Sequence, residues 1–206
     1  MEPTIPAAAA AVAGSTDAAS PVSSEGTSAP DASRETVELD AVFRAMVDAI
    51  TSHRPGYRFR LTPDRLDGDW RLDGDVDAGS GAARLFIALT FKPGAVTAHP
   101  CADRDFTQGG ACAERRLSNG DLLVLRGLVE ARGTRTVVVA LIHPNRSGLT
   151  AEASNFRLEG LPGPVPGPDP PPPISRHDPP YTVTELAELV RAIDARLRAC
   201  PAAICP

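Results

Sequence analysis

One change of rhythm constrains the fold more than any other feature of the chain. Leu39, Val42, Phe43, Met46, Val47 and Ile50 fall at i, i+3, i+4, i+7, i+8 and i+11, a single stripe at the helical period. From Tyr57 onward the apolar residues switch to every second position. Tyr57, Phe59 and Leu61 alternate with Arg58 and Arg60, and Leu85, Ile87, Leu89 and Phe91 form a second alternating set. Further strands are expected at 113–117, 122–125, 134–142 and 149–156. The run at 134–142 contains Val137-Val138-Val139 and suits a central strand. Ser118-Asn119-Gly120-Asp121 reads as a hairpin turn, because Asn-Gly accepts positive φ values. No connection is long enough for a helical crossover, so the spacing predicts an antiparallel meander. The helical period returns near the C-terminus in Leu186, Leu189, Val190, Ile193 and Leu197, opened by a capping box of Thr182 and Glu185.

The fold class that follows is α+β: a meander sheet with an N-terminal helix at 36–53 and a C-terminal helix at 182–198 packed on it. Thr36 is the expected N-cap of the first helix, and Pro55-Gly56 closes it. Residues 1–33 are Ala, Ser, Thr, Pro and Gly with almost no large apolar side chain, a composition that cannot offset its own ordering entropy, and a disordered arm is expected there. The domain proper is expected over 34–160. A Pro-rich strap follows over 161–181, with Pro170 to Pro173 at its centre. It reads as a semi-rigid spacer that delivers 182–206 back to the sheet, in preference to an SH3-type ligand.

Charge narrows the partners. The net charge of -5 argues against nucleic acid or anionic lipid as a default partner, because both reward clustered cations. Lys92 is the single lysine; the arginine excess reads as a GC-rich codon bias, which the alanine, proline and glycine excess also fits, in preference to selection for bidentate anion contacts. The partner expected is an unknown protein or small ligand. There is no apolar run of the length a membrane span needs.

The cysteines carry the most information. Cys101 and Cys112 bracket a polar loop between two expected strands, and Cys200 and Cys205 bracket a short C-terminal segment. Four cysteines allow three connectivities, of which the local pairing is simplest. Disulfides imply an oxidising compartment. A zinc site would want tighter spacing, though His99 lies two residues before Cys101; four free thiols are the remaining alternative. An acidic tract, with Asp73, Asp75 and Asp77 at alternate positions, invites calcium. However, Ala78 stands where the loop needs Gly and Arg84 where it needs a bidentate Glu, and Asp-Gly pairs also make hairpin turns. No metal site, cofactor or catalytic residue is assigned. The hydrolase, metalloprotease and nucleotide-loop motifs are missing, and His53, His99, His143 and His177 are scattered over loops and helix ends.

Cys101 with Cys112, the Leu117-Ser118-Asn119-Gly120 hairpin and the block from Pro179 to Leu186 resemble features of small exported proteins and lipoproteins of high-GC Gram-positive bacteria. That resemblance implies an envelope location and supplies no catalytic residue. The stretch from Cys101 to Asp121 is also similar to secreted subtilisin-inhibitor domains, although nothing after Asp121 matches their second disulfide. Three functions are therefore weighed: a non-enzymatic extracytoplasmic binding or sensing module, a secreted protease inhibitor with a protruding loop at 102–111, and an unrecognised hydrolase. The region before Arg34 has neither a basic n-region nor a strongly apolar segment. An extracytoplasmic protein then requires a signal or membrane anchor upstream of Met1, and that is the expectation.

Overall fold

The computed structural model describes residues 32–107, 110–131, 133–157 and 174–200. The expected arm lies outside them except for its last two residues. The Pro-rich stretch as far as 173 and the tail containing Cys205 also lie outside.

Helix α1 (Ala32–His53) leads into β1 (Arg58–Leu66), β2 (Asp69–Asp77) and β3 (Ala82–Thr90). After a 3-10 turn (Pro100–Ala102) and the short α2 (Arg104–Thr107) come β4 (Cys112–Arg116), β5 (Leu122–Ala131), β6 (Thr134–Ile142) and β7 (Gly148–Ser154). Helix α3 (Val183–Ala199) ends the described chain. The strands form one antiparallel seven-stranded sheet in the order β1-β2-β3-β7-β6-β5-β4. The α+β class and the two flanking helices agree with the sequence expectation. The path differs from a single meander, because β3 pairs with β7 and the connection after β3 passes three strands before β4 begins.

Both helices cover one face. Leu72, Val76, Leu85, Ile87, Leu89, Val137, Val139, Leu141 and Leu149 meet Val42, Met46 and Ile50 of α1 and Leu186, Leu189, Val190 and Ile193 of α3 in one buried cluster. At roughly 1.5–3 kcal/mol per fully buried large aliphatic side chain, this layer dominates the favourable side of folding. Ala151 and Ala153 keep β7 low beneath α3, which lies over β5, β6 and β7 and packs along α1. Every residue of the expected C-terminal stripe is buried; in α1, Val47 is 37% exposed and stands off the stripe. The α1 helix also starts four residues before Thr36, since neither proline nor glycine occurs between Ala32 and Thr36 to stop it. At α3 the Thr182 hydroxyl accepts the Glu185 amide at 3.3 Å, while Glu185 Oε2 accepts the Thr182 amide at 2.9 Å.

Strand β2 corrects the reading of the acidic tract. Asp67 and Gly68 do turn the chain, with φ of 55° and 89°. Gly74 does not turn; it sits in mid-strand opposite Leu61, and a Cβ there would stand 2.0 Å from the Arg60 carbonyl oxygen. Glycine is required by the close approach of β1. The alternation Trp70, Leu72, Val76 supplies the inner face and the aspartates supply the other.

That other face is divided. Over β5 and β6, residues of the β3–β4 connection cover Val124, Ala140 and Ile142 with Val96, Cys101, Phe106 and Cys112. Cys101 and Cys112 are joined by a disulfide with Cα atoms 5.5 Å apart. Arg126, only 6% exposed, donates to the Phe106 carbonyl at 2.5 Å and lies over its ring. Over β2, β3 and β7 the face is open and polar. There Arg84 donates to both carboxylate oxygens of Asp73 at 2.9 and 2.8 Å and lies over the Phe86 and Phe156 rings.

The chain re-enters at Ile174, which bridges to Phe156. Asn155, 1% exposed, then fastens it: its main-chain oxygen accepts the Ser175 amide at 3.2 Å, and its side chain donates to the His177 carbonyl at 3.3 Å. Pro180 and Tyr181 follow as buried residues and set the start of α3.

Candidate functional site

Because β5 and β6 run antiparallel, with Leu122 opposite Ile142, the β4–β5 and β6–β7 turns lie at the same end of the sheet. Gly120, with φ of 88°, closes the first turn, where Gly120 N donates to the Leu117 carbonyl and Leu117 N to that of Asp121. A single positive φ suffices, at Gly120 and not at Asn119. The second turn is held by His143 N on the Ser147 carbonyl and by Asn145 Oδ1, which accepts from the Ser147 amide at 3.0 Å and its hydroxyl at 2.7 Å. The last two turns of α3 descend beside them. Between these parts lies a cleft of about 680 Å³, with Leu89, Phe91, Pro144 and Leu197 giving apolar walls and Asn119, Asn145 and Ser147 polar ones.

Four ionisable groups converge in it. Asp121 is 2% exposed. Its Oδ1 lies 3.1 Å from His143 Nδ1, and its Oδ2 accepts from Asn119 Nδ2 and Arg198 Nη2, both at 2.7 Å. Arg198 Nε donates to Asp194 Oδ2 at 2.8 Å, the i,i+4 partner on α3. His143 Nε2 faces Asp194 Oδ1 at 3.5 Å. The Asp194 hydrogen bond, with the charges of Asp194 and Asp121, raises the Arg198 guanidinium above its ordinary range, against a smaller opposing effect of burial. The arrangement ties α3 to two turns of the sheet through charged hydrogen bonds, and truncating one member of such a group costs more than a surface ion pair.

Chemically the cluster is closed upon itself. Each ring nitrogen of His143 faces a carboxylate, and the hydroxyl lining the cleft, that of Ser147, donates to Asn145. A general base poised for a hydroxyl nucleophile would leave a ring nitrogen facing that hydroxyl. Among the described residues no group of three or more His, Cys, Asp or Glu is arranged to hold a metal ion. Arg198 occupies the place between the two carboxylates.

The residues singled out from sequence are dispersed. Cys101 and Cys112 pair as the local connectivity requires; the pairing of Cys200 with Cys205 involves a residue outside the described ones. His99 is exposed, with its Nδ1 3.6 Å from Glu114, and His177 lies beside Arg135 and Asp178. Asp73, Asp75 and Asp77 share a strand face in place of a loop: Asp73 holds Arg84, Asp75 lies 3.7 Å from Arg157, and Asp77 Oδ1 accepts the Gly79 amide. The described part of the segment at 102–111 contains the short helix α2 and seats Phe106 against the sheet. The cleft itself was not anticipated. Its signal in the sequence is the pair of turns Asn119-Gly120-Asp121 and His143-Pro144-Asn145, each carrying a titratable residue at a strand end.

No protein family, no curated protein and no solved structure matches the chain. Among the described residues no helix is long and apolar enough to cross a membrane.

Proposed function

We propose that this chain is a non-enzymatic binding or sensing module of the cell envelope, and that the cleft at the α3 end of the sheet receives a small ligand. The observation that carries the reading is the composition of that cleft: apolar walls from Leu89, Phe91 and Leu197 beside a compact ionic cluster whose members are engaged with one another. Concave sites with apolar walls and a few fixed polar groups suit ligand binding. Charged groups locked in mutual contacts suit orientation and selectivity better than proton transfer. The Cys101–Cys112 disulfide supports an oxidising, extracytoplasmic setting, as does the resemblance of the region after Cys101 to exported proteins.

The test is a ligand-observed NMR screen of small amphipathic fragments against the full chain and a Pro144→Trp variant. Pro144 is exposed on the cleft wall, so the indole fills the cleft and leaves the core alone. Fragments that bind the wild type are expected to lose at least about tenfold in affinity, or roughly 1.4 kcal/mol, with an unchanged melting temperature. Hits indifferent to the variant, or no hits at all, overturn the reading.

A further inference from the structure

Strand β4 is an edge strand, and beyond it the helical layer ends. Arg115 points to the helix side of the sheet, as its pairing with buried Leu123 requires. Arg191 projects from the exposed flank of α3, and Arg116 closes the strand with its Nη1 donating to the Gly120 carbonyl at 3.2 Å. Together with Leu117, Ser118 and Asn119 these three arginines line a second concavity of about 500 Å³.

Its charge is uncompensated, unlike that of several other arginines. Arg54, Arg71, Arg84, Arg135, Arg157 and Arg198 each lie within 4.0 Å of a carboxylate. No carboxylate lines the concavity beside β4. Among the described residues the side chains of Arg115 and Arg191 have neither an ion pair nor a hydrogen bond, and Glu188, one turn earlier on α3, is not part of the lining. Arg115 and Arg191 thus bring two guanidinium-bearing side chains to one hollow without a counter-charge in a chain of net charge -5, while Arg116, opposite Leu122, turns its guanidinium to the Gly120 carbonyl. Like charges gathered in a hollow repel one another and are relieved by an anion from outside. The guanidinium fork matches the oxygens of a tetrahedral anion, and the Ser118 hydroxyl adds a donor of the right kind.

We infer that Arg115 and Arg191, beside the Ser118 hydroxyl, form an oxyanion site for a phosphate or sulfate group. The oxyanion site does not depend on occupancy of the cleft. A soluble phosphate ester and an anionic lipid headgroup present the same chemistry to it.

The test titrates the full chain with inorganic phosphate at low ionic strength, followed by two-dimensional amide NMR. Saturable shifts are expected at Arg115, Ser118, Asn119 and Arg191. The double variant Arg115→Ala, Arg191→Ala should weaken binding by at least about tenfold. Arg196→Ala removes an exposed arginine that lines a different hollow on the same helix, and should leave binding unchanged. Both variants concern exposed side chains, and a retained melting temperature verifies the fold. A parallel arm floats the chain with phosphatidylcholine vesicles, with and without phosphatidic acid. Flotation that needs both phosphatidic acid and the two arginines assigns the site to a headgroup. Phosphate saturation without flotation assigns it to a soluble ester. Non-saturating shifts, or a double variant that binds phosphate as tightly as the wild type, overturn the inference.

Discussion

The two faces of the sheet are stabilised by different means. The helical face is continuous: more than twenty residues from both helices and most strands form one apolar cluster, and nearly every member is excluded from water. On the opposite face, among the described residues, Val124, Ala140 and Ile142 form a small buried nucleus, and it is closed by a connection stapled through Cys101 and Cys112. The rest of that face is kept in order by Arg84, Asp73, Glu152 and two aromatic rings. The helical face rests on buried area, and the other on a covalent link and on charge. The contrast predicts a scaffold on one face and an adjustable surface on the other, so that perturbing the second leaves the first intact.

Three perturbations probe that contrast, in descending order of effect. Leu189 is fully buried between α3 and the sheet, and Leu189→Asp places a carboxylate there without a partner. A loss of about 3–5 kcal/mol is expected in urea unfolding, enough to leave little native protein. A shift below about 1 kcal/mol would show that the helical face is not the scaffold. Replacing both Cys101 and Cys112 by Ser is expected to cost about 2–3 kcal/mol, on the chain-entropy account of a short closed loop. Hydrogen exchange should then rise at 91–111, while the amides of β3, β6 and β7 stay protected; a uniform rise would erase the distinction between the faces. Alkylation of intact cells bears on location as well, since quantitative labelling of Cys101 and Cys112 without reductant would place the protein in a reducing compartment.

The smallest effect belongs to the tie between the two helices. Burial pushes the Glu185 carboxyl up, but its hydrogen bonds with Thr182 and the Arg54 guanidinium outweigh this and hold it below its ordinary 4.5. A depressed folded-state value means the contribution is full well above pH 4.5 and is lost as pH falls through that lower value. Both side chains are about a third exposed, so less than about 1 kcal/mol is involved. The difference in melting temperature between wild type and Glu185→Gln should be constant near neutrality and close below pH 4.5. A difference that persists into strong acid would sink the assignment.

Legibility in the sequence followed locality. The α3 stripe, its capping box, the Gly120 turn and the alternation in β3 depend on neighbours a few residues away, and all appear where the pattern placed them. Strand β2 was obscured because its outward positions are aspartates and its inward series is interrupted by Gly74, whose reason lies in the backbone of β1. The cleft was obscured for a related reason. Asp121, His143, Asp194 and Arg198 come from three separate segments, and only the sheet order brings them together. The disulfide was readable as a local pair, whereas the surface that its loop covers was not.

The strand order also shapes how the chain can assemble in time. Hairpin closures between sequential neighbours can build β1-β2-β3 on one side and β4-β5-β6-β7 on the other, each early and independently. The β3–β7 seam is different: it matches Thr90 with Gly148 and Arg84 with Ser154, and must close the whole intervening chain at once. Loop-closure entropy is lost there before any contact offsets it, so seam formation is expected to limit the folding rate, with α3 docking after it. The strand pairing that unites the two halves is thus the step during which the apolar faces of both stand open to other molecules.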